Sequence, residues 1–142
     1  MLLGMIQDTL PKPPKELNAL LLAYVGDAVY ELYVRYHLLS QGMVRPNDLQ
    51  KRAVRYVSAT AQAEVSRQIQ MLLTEEEQDI LRRGRNMRVG SVPKRVSMAD
   101  YRASTGLEAL IGYWYLSGDK ERLNEMMKGI LERVEEARES GK

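Results

Sequence analysis

Apolar residues recur along most of the chain at spacings of three and four, the period of an α-helix. No segment alternates apolar and polar residues over the length of a strand. The pattern predicts helices over 15–39, from Pro46 to about Leu73, from Thr74 to about Arg83, over 98–116 and from 119 to about 138. The first places Leu17, Leu20, Leu21, Tyr24, Ala28, Leu32 and Val34 at broadly helical spacing. Because it is apolar on most sides, it is expected to be the central, buried helix. Gly42 and Pro46 close it. The second carries an inner stripe of Leu49, Ala53, Tyr56 or Val57, Val65 and Ile69.

The boundaries of the later helices are written in their polar residues. Thr74-Glu75-Glu76-Glu77 has the form of a capping box, in which the threonine hydroxyl takes a backbone N–H and Glu77 reaches back. Gly84 is expected to stop the short helix that follows. Ser97 is placed to cap the next helix, with Asp100 near the positive end of its dipole. The last helix turns Leu123, Met126 or Met127, Ile130, Leu131 and Val134 inward. Its other face alternates basic residues with glutamate, the pattern of a solvated surface. Glycine, proline and serine between 84 and 96 mark an exposed loop. The fold class is therefore all-α, a compact helical bundle, with the whole of residues 1–142 read as one domain.

Two carboxylates break the apolar pattern. Asp27 lies in LNALLLAYVGDAVYELYV, residues 17–34, whose other strongly polar residues are Asn18 and Glu31. Glu108 is the one charge in TGLEALIGYWYL, residues 105–116, and stands 81 positions after Asp27. A carboxylate surrounded by apolar residues is costly unless it meets a cation, a metal or a proton-sharing partner. Two such residues could converge on one divalent ion. Each could equally cap a helix or pair with an arginine.

Composition narrows the chemistry. The chain has no cysteine, which excludes disulfides, thiolate metal sites and cysteine nucleophiles. The longest near-apolar run is interrupted by Asp27 and Glu31, so no membrane span is expected. MLLGMIQ at the N-terminus is short and lacks a basic start, so it does not read as a signal peptide. These features fit a cytoplasmic protein. The single histidine, His37, has nothing nearby to support a His-centred mechanism and reads as a partly exposed helix residue. Net charge is only +2, but residues 35–102 hold 13 Lys or Arg against 7 Asp or Glu. That asymmetry points to one basic face suited to a polyanion. Its densest part is RRGRNMRVGSVPKR, residues 82–95, with no acid between Asp79 and Asp100. The bland reading of Arg82 and Arg83 is that they stabilise a helix C-terminus.

GDAVYEL at 26–32 and EALIGYWYL at 108–116 resemble, in order and separation, the two blocks that define the ribonuclease III catalytic domain. The segment 82–95, together with YRASTGLEALIGY at 101–113, is similar more narrowly to the Mini-ribonuclease III branch, which has no double-stranded RNA-binding domain. The resemblance spans about 16–132. It implies the ribonuclease III endonuclease-domain type of bundle and a catalytic, metal-binding role for Asp27 and Glu108. Phosphodiester hydrolysis needs an activated water and charge neutralisation at phosphorus, which carboxylate-held Mg2+ supplies. The resemblance further implies a homodimer that cuts double-stranded RNA to 5′-phosphate and 3′-hydroxyl products. The expected substrate is the 23S ribosomal RNA precursor, with a ribosomal protein as a conceivable further partner. Arg83, Arg85, Asn86, Arg88, Lys94 and Arg95 are the expected RNA-binding residues.

The sequence departs from the wider family at two positions. Ala23 stands where the larger enzymes have a glutamate four residues before the GDA aspartate. Thr105 stands where they have an aspartate three residues before the EALIG glutamate. The reduced acid set agrees with the Mini-ribonuclease III branch and leaves metal number open. It also keeps alive a non-catalytic RNA-binding or ribosome-assembly module on the same fold. A helical protein-interaction module with an incidental basic loop is the remaining alternative. Glu31 reads as an exposed helix residue beside the site.

Overall fold

The computed structural model describes the backbone of residues 9–88 and 90–140, and the side chains through residue 137 apart from Val89. The segment MLLGMIQ lies outside the described residues. Among those residues there is no strand, and the elements are α1 (Ala19–Ser40), α2 (Pro46–Val57), α3 (Ala59–Ile69), α4 (Glu75–Arg85), α5 (Met98–Leu116) and α6 (Lys120–Ser140). Short 3₁₀ turns at Pro14–Glu16 and Gln70–Leu72 precede α1 and follow α3.

The helix enclosed on most sides is α5, which packs against α1, α3, α4 and α6. It buries Ala103 through Leu107, Ala109 through Gly112, and Trp114. Small residues let its neighbours come close. A Cβ on Gly26 of α1 would stand 1.7 Å from the Glu108 carbonyl oxygen, and one on Gly112 would stand 1.9 Å from that of Leu22. On another side, a Cβ on Gly84 of α4 would stand 2.6 Å from the Gly106 Cα. Backbones in such contact leave no room for any side chain at these positions.

The expectation that the first helix is the central, buried one is overturned, since α5 takes that place. Leu21 (55% exposed), Tyr24 (81%) and Leu32 (65%) face outward, as do Leu20 and Ala28. The core face is Ala19, Leu22, Ala23, Gly26, Val29, Tyr30, Val34 and Leu38. A helix apolar all round has no polar face to fix its rotation, so its small residues, which permit the close α5 contact, decide which side turns inward. The stripes of the second and last helical regions are buried or half-buried as expected.

Three boundaries also differ. The region from Pro46 breaks at Ser58, which takes an extended ψ of 148° and caps α3 by accepting from the Ala61 N–H at 3.2 Å. The first helix begins at Ala19, because Asn18 accepts from the Leu20 N–H at 2.7 Å. Gly84 does not stop α4, which continues to Arg85, because the glycine is required by contact with α5 and not by a turn. The capping box is formed in both directions, Thr74 N–H to Glu77 at 2.9 Å and Glu77 N–H to the Thr74 hydroxyl at 3.1 Å. Ser97 likewise caps α5 through the Asp100 N–H at 3.0 Å.

One buried ion pair ties α4 to the α5–α6 side of the bundle. Glu77 is 6% exposed and accepts from Arg122 Nη2 at 2.7 Å and Nε at 2.9 Å, and from Trp114 Nε1 at 2.7 Å. Burial opposes its charge, but the hydrogen bonds from Arg122, the Thr74 backbone and Trp114 prevail and hold its carboxyl at about 2. Arg122 therefore departs from the solvated face expected of α6.

Candidate active site

The α1–α5 crossing brings together two residues far apart in sequence. Gly26 lies against the Glu108 backbone, and Asp27 is the next residue on α1. Burial and the facing Asp27 carboxylate push Glu108 up to about 9, and Glu31 adds to the repulsion, while the Gln62 amide partly relieves it. Two of the three carboxylates differ in setting. Glu108 is half-buried, whereas Asp27 is exposed, which corrects the expectation that both sit in apolar surroundings. Asp27 lies at the border between the core face of α1 and its exposed apolar stripe. Glu31, one turn later, is half-exposed and pairs with Arg35 at 3.2 Å.

The positions that carry acids in larger relatives contribute no ligand. Ala23 is buried against the core. Thr105 is also buried and turns its hydroxyl back to the Tyr101 carbonyl at 3.1 Å, while Ser104 donates to the same oxygen at 2.7 Å. Among the described residues no set of three His, Cys, Asp or Glu side chains forms a metal cluster. The donor set is thus two hard carboxylates with a third nearby and a strong local excess of negative charge. It fits a divalent cation that keeps several of its own waters, the habit of Mg2+. A cation would offset the burial and the Asp27 carboxylate that together keep Glu108 protonated.

Gln62, which the sequence reading passed over, completes the site from α3. It is 2% exposed and donates from Nε2 to the Val57 carbonyl at 3.0 Å. In sequence it is a polar residue among small ones, ATAQAEV, and only the packing of α3 on α5 identifies its neighbour.

The basic residues separate into two groups. Arg82 pairs with Asp79 on its own helix. Arg83 donates to the Lys15 carbonyl at 2.8 Å and the Leu17 carbonyl at 2.7 Å, so its guanidinium anchors the segment before α1. Asn86, Arg88, Lys94 and Arg95 are exposed, and Arg85 is half-buried with its stem over Gly106. None of these last four cations, Arg85 included, forms an ion pair among the described residues. Among the same residues, no helix is long and apolar enough to cross a membrane.

Comparison with known proteins identifies the family and the fold. Residues 20–119 match the family described as Ribonuclease III domain. Over 122 residues the chain is 51% identical to the Mini-ribonuclease 3 of Symbiobacterium thermophilum, covering 86% of this chain and 94% of that one. Over 131 residues it is 47% identical to the Mini-ribonuclease 3 of Brevibacillus brevis, covering 92% and 98%. The crystal structure of a Fusobacterium nucleatum protein aligns with a TM-score of 0.77 at 29% identity, covering 85% of this chain and 97% of that chain.

Proposed function

This chain belongs to the ribonuclease III family, in its Mini-ribonuclease 3 branch, and is an endoribonuclease; from that premise we propose that it cleaves double-stranded RNA with Mg2+ held by Asp27 and Glu108. The observation that carries the reading is the convergence of these carboxylates, 81 positions apart, at a backbone contact that only glycine permits. When bound, the cation supplies a more acidic water and neutralises charge on the phosphate. Asp27, being exposed, would hold the cation from the solvent side, and half-buried Glu108 would hold it from within. The products are a 5′-phosphate and a 3′-hydroxyl.

Duplex RNA is recognised through its phosphates and 2′-hydroxyls, with Arg85, Asn86, Arg88, Lys94 and Arg95 as the grip. Two cuts on opposite strands require two sites, and a two-fold homodimer supplies them. The exposed stripe of Leu21, Tyr24, Ala28, Leu32, Tyr36 and Leu39 beside Asp27 is the surface on which the second copy is proposed to sit. The proposed substrate is the 23S ribosomal RNA precursor, cut in the cytoplasm, with a ribosomal protein as a further partner. The sparse acid set favours a second reading, a duplex-binding module that does not cut.

The test is incubation of the purified chain with a defined RNA duplex, with and without Mg2+. Asp27→Asn and Glu108→Gln keep size but remove an anionic ligand. Loss of several kcal/mol of transition-state stabilisation slows cutting by about 10³-fold or more while duplex binding survives. Mg2+-dependent cutting at near-normal rate in either variant removes that residue from the mechanism. Tight binding with no cutting by the wild type selects the second reading.

A further inference from the structure

Lys94 and Arg95 occupy the central positions of a turn from Pro93 to Val96, closed by the Val96 N–H on the Pro93 carbonyl at 3.1 Å. Both residues are exposed, and the turn runs directly into α5. Ser97 joins the two, its hydroxyl accepting from the Asp100 N–H and its carbonyl from the Tyr101 N–H, each at 3.0 Å. Little burial keeps this first turn of α5 in place, since Ser97, Met98 and Ala99 are all exposed. Helix ends of that kind open readily. A contact from another helix holds it: Arg67 of α3 donates from Nη2 to Asp100 Oδ1 at 2.7 Å, across 33 positions of sequence. Asp100 is also the acid that closes the acid-free run after Asp79. An unpaired carboxylate there would repel the phosphates that Lys94 and Arg95 are placed to attract, and Arg67 offsets its charge.

We propose that Arg67 is a positioning residue of the RNA grip: through Asp100 it holds the first turn of α5, and with it the turn that presents Lys94 and Arg95. The role rests on the reading of Lys94 and Arg95 as phosphate-binding residues. It gives Arg67 no contact with the RNA or with the reacting atoms. Two simpler roles compete. An exposed ion pair adds little to stability and has no bearing on RNA binding. Alternatively Arg67, whose side chain is 52% exposed, meets a phosphate itself, and Asp100 then competes with the RNA for its guanidinium.

Asp100→Ala in the full chain separates these roles, because it removes the carboxylate and keeps the backbone N–H that Ser97 caps. The readout is affinity for a defined RNA duplex with Mg2+ omitted. Under either simpler role, losing a negative charge near a polyanion leaves binding unchanged or tightens it. Under the positioning role binding weakens instead, by about 3–10-fold, within the range over which contacting residues couple. Arg67→Gln weakens binding to the same extent, and combining it with Asp100→Ala costs nothing more. Arg67→Lys, which keeps a point charge for the carboxylate, recovers part of the loss. With Mg2+ restored, single-turnover cutting at saturating protein stays near the wild-type rate in all three. Unchanged or tighter binding by Asp100→Ala overturns the proposal. If Asp100→Ala does not fold, Arg67→Gln added to Lys94→Ala with Arg95→Ala decides, since a further loss of affinity there would mean that Arg67 does not act through the turn. Lys94→Ala with Arg95→Ala is also the control for the underlying reading. If its affinity matches the wild type, the turn is not part of the grip and the proposal falls with it. If it binds weakly and Asp100→Ala binds normally, only the role of Arg67 is lost.

Discussion

Gly112 of α5 lies so close to α1 that a Cβ would stand 1.9 Å from the Leu22 carbonyl oxygen and 3.1 Å from the Gly26 nitrogen. The contact is backbone on backbone, so no side chain can rotate away to relieve it. Gly112→Ala or Gly26→Ala must push the two helices apart, and overpacking of this kind costs about 3 kcal/mol or more. Because Asp27 and Glu108 are carried by the same two helices, separation also pulls the carboxylates apart. Both variants are expected to lower the urea midpoint and to lose Mg2+-dependent cutting even where they remain folded. An alanine variant with normal stability and activity would show that the helices have room to spare.

The repulsion between Asp27 and Glu108 has a measurable consequence in the absence of metal. An ordinary glutamate loses its proton near 4.5, whereas burial and Asp27 hold the Glu108 proton up to about 9. The unfolded chain therefore releases this proton first, and the folded state loses stability as pH rises from about 4.5 through 9. Asp27→Asn removes the second of these causes. In EDTA, the wild-type thermal midpoint is expected to fall between pH 5 and pH 8 by more than that of Asp27→Asn. Identical pH profiles in the two proteins would mean that the carboxylates do not sense each other.

Glu77 titrates in the opposite sense. Its folded value of about 2 lies below the ordinary 4.5, so its contribution is complete above about 4.5 and is lost as pH falls toward 2. Arg122→Ala leaves a buried carboxylate without its main partner, which costs about 3–5 kcal/mol. Trp114, the single tryptophan, donates its indole N–H to Glu77 and reports the change directly. Its fluorescence is expected to shift in Arg122→Ala and in the wild type as pH falls toward 2. An Arg122→Ala protein with unchanged stability would reduce this network to a surface pair.

The sequence carries the period of every helix, the two capping residues Thr74 and Ser97, and the carboxylates that converge. These are local patterns or isolated charges in apolar context, and both survive in one dimension. Which face of α1 turns inward does not, because Leu21, Tyr24 and Leu32 are as apolar as the residues that are buried. Arg122 reads as an ordinary helix charge and Glu77 only as a capping residue, since their pairing joins residues 45 positions apart. His37 is half-buried as expected, but its contact with Glu135 of α6 has no sequence counterpart. Arg83 and Arg85 illustrate the same limit. Two positions apart on α4, one is bound to backbone carbonyls before α1 and the other forms no ion pair among the described residues.

The exposed stripe on α1 makes the dimer testable without touching the carboxylates. Tyr24 and Leu32 are 81% and 65% exposed and lie on the same face. Placing a charge there in both copies buries two like charges at a two-fold interface. Tyr24→Arg and Leu32→Glu are expected to shift sedimentation from dimer to monomer and to abolish cutting of both strands. A monomeric wild type that still cuts both strands removes the dimer from the reading.

The basic loop is best tested at Arg85 and Arg88, because Arg83 already has backbone partners. Each phosphate contact releases condensed counterions, so losing one reduces the magnitude of the log–log salt slope by somewhat under ~1. Arg85→Ala with Arg88→Ala is therefore expected to weaken duplex binding and to flatten the slope by nearly ~2 per protomer bound. Both residues are proposed to position RNA and not to activate water, so single-turnover cutting at saturating protein is expected to fall less than affinity. The Arg85 stem also covers Gly106, and Arg85→Lys retains both the stem and the charge. It separates packing from phosphate binding: Lys rescues a point-charge contact but not a forked one. An unchanged salt slope in the double variant would place the RNA on another face and leave this loop as a solvated connector.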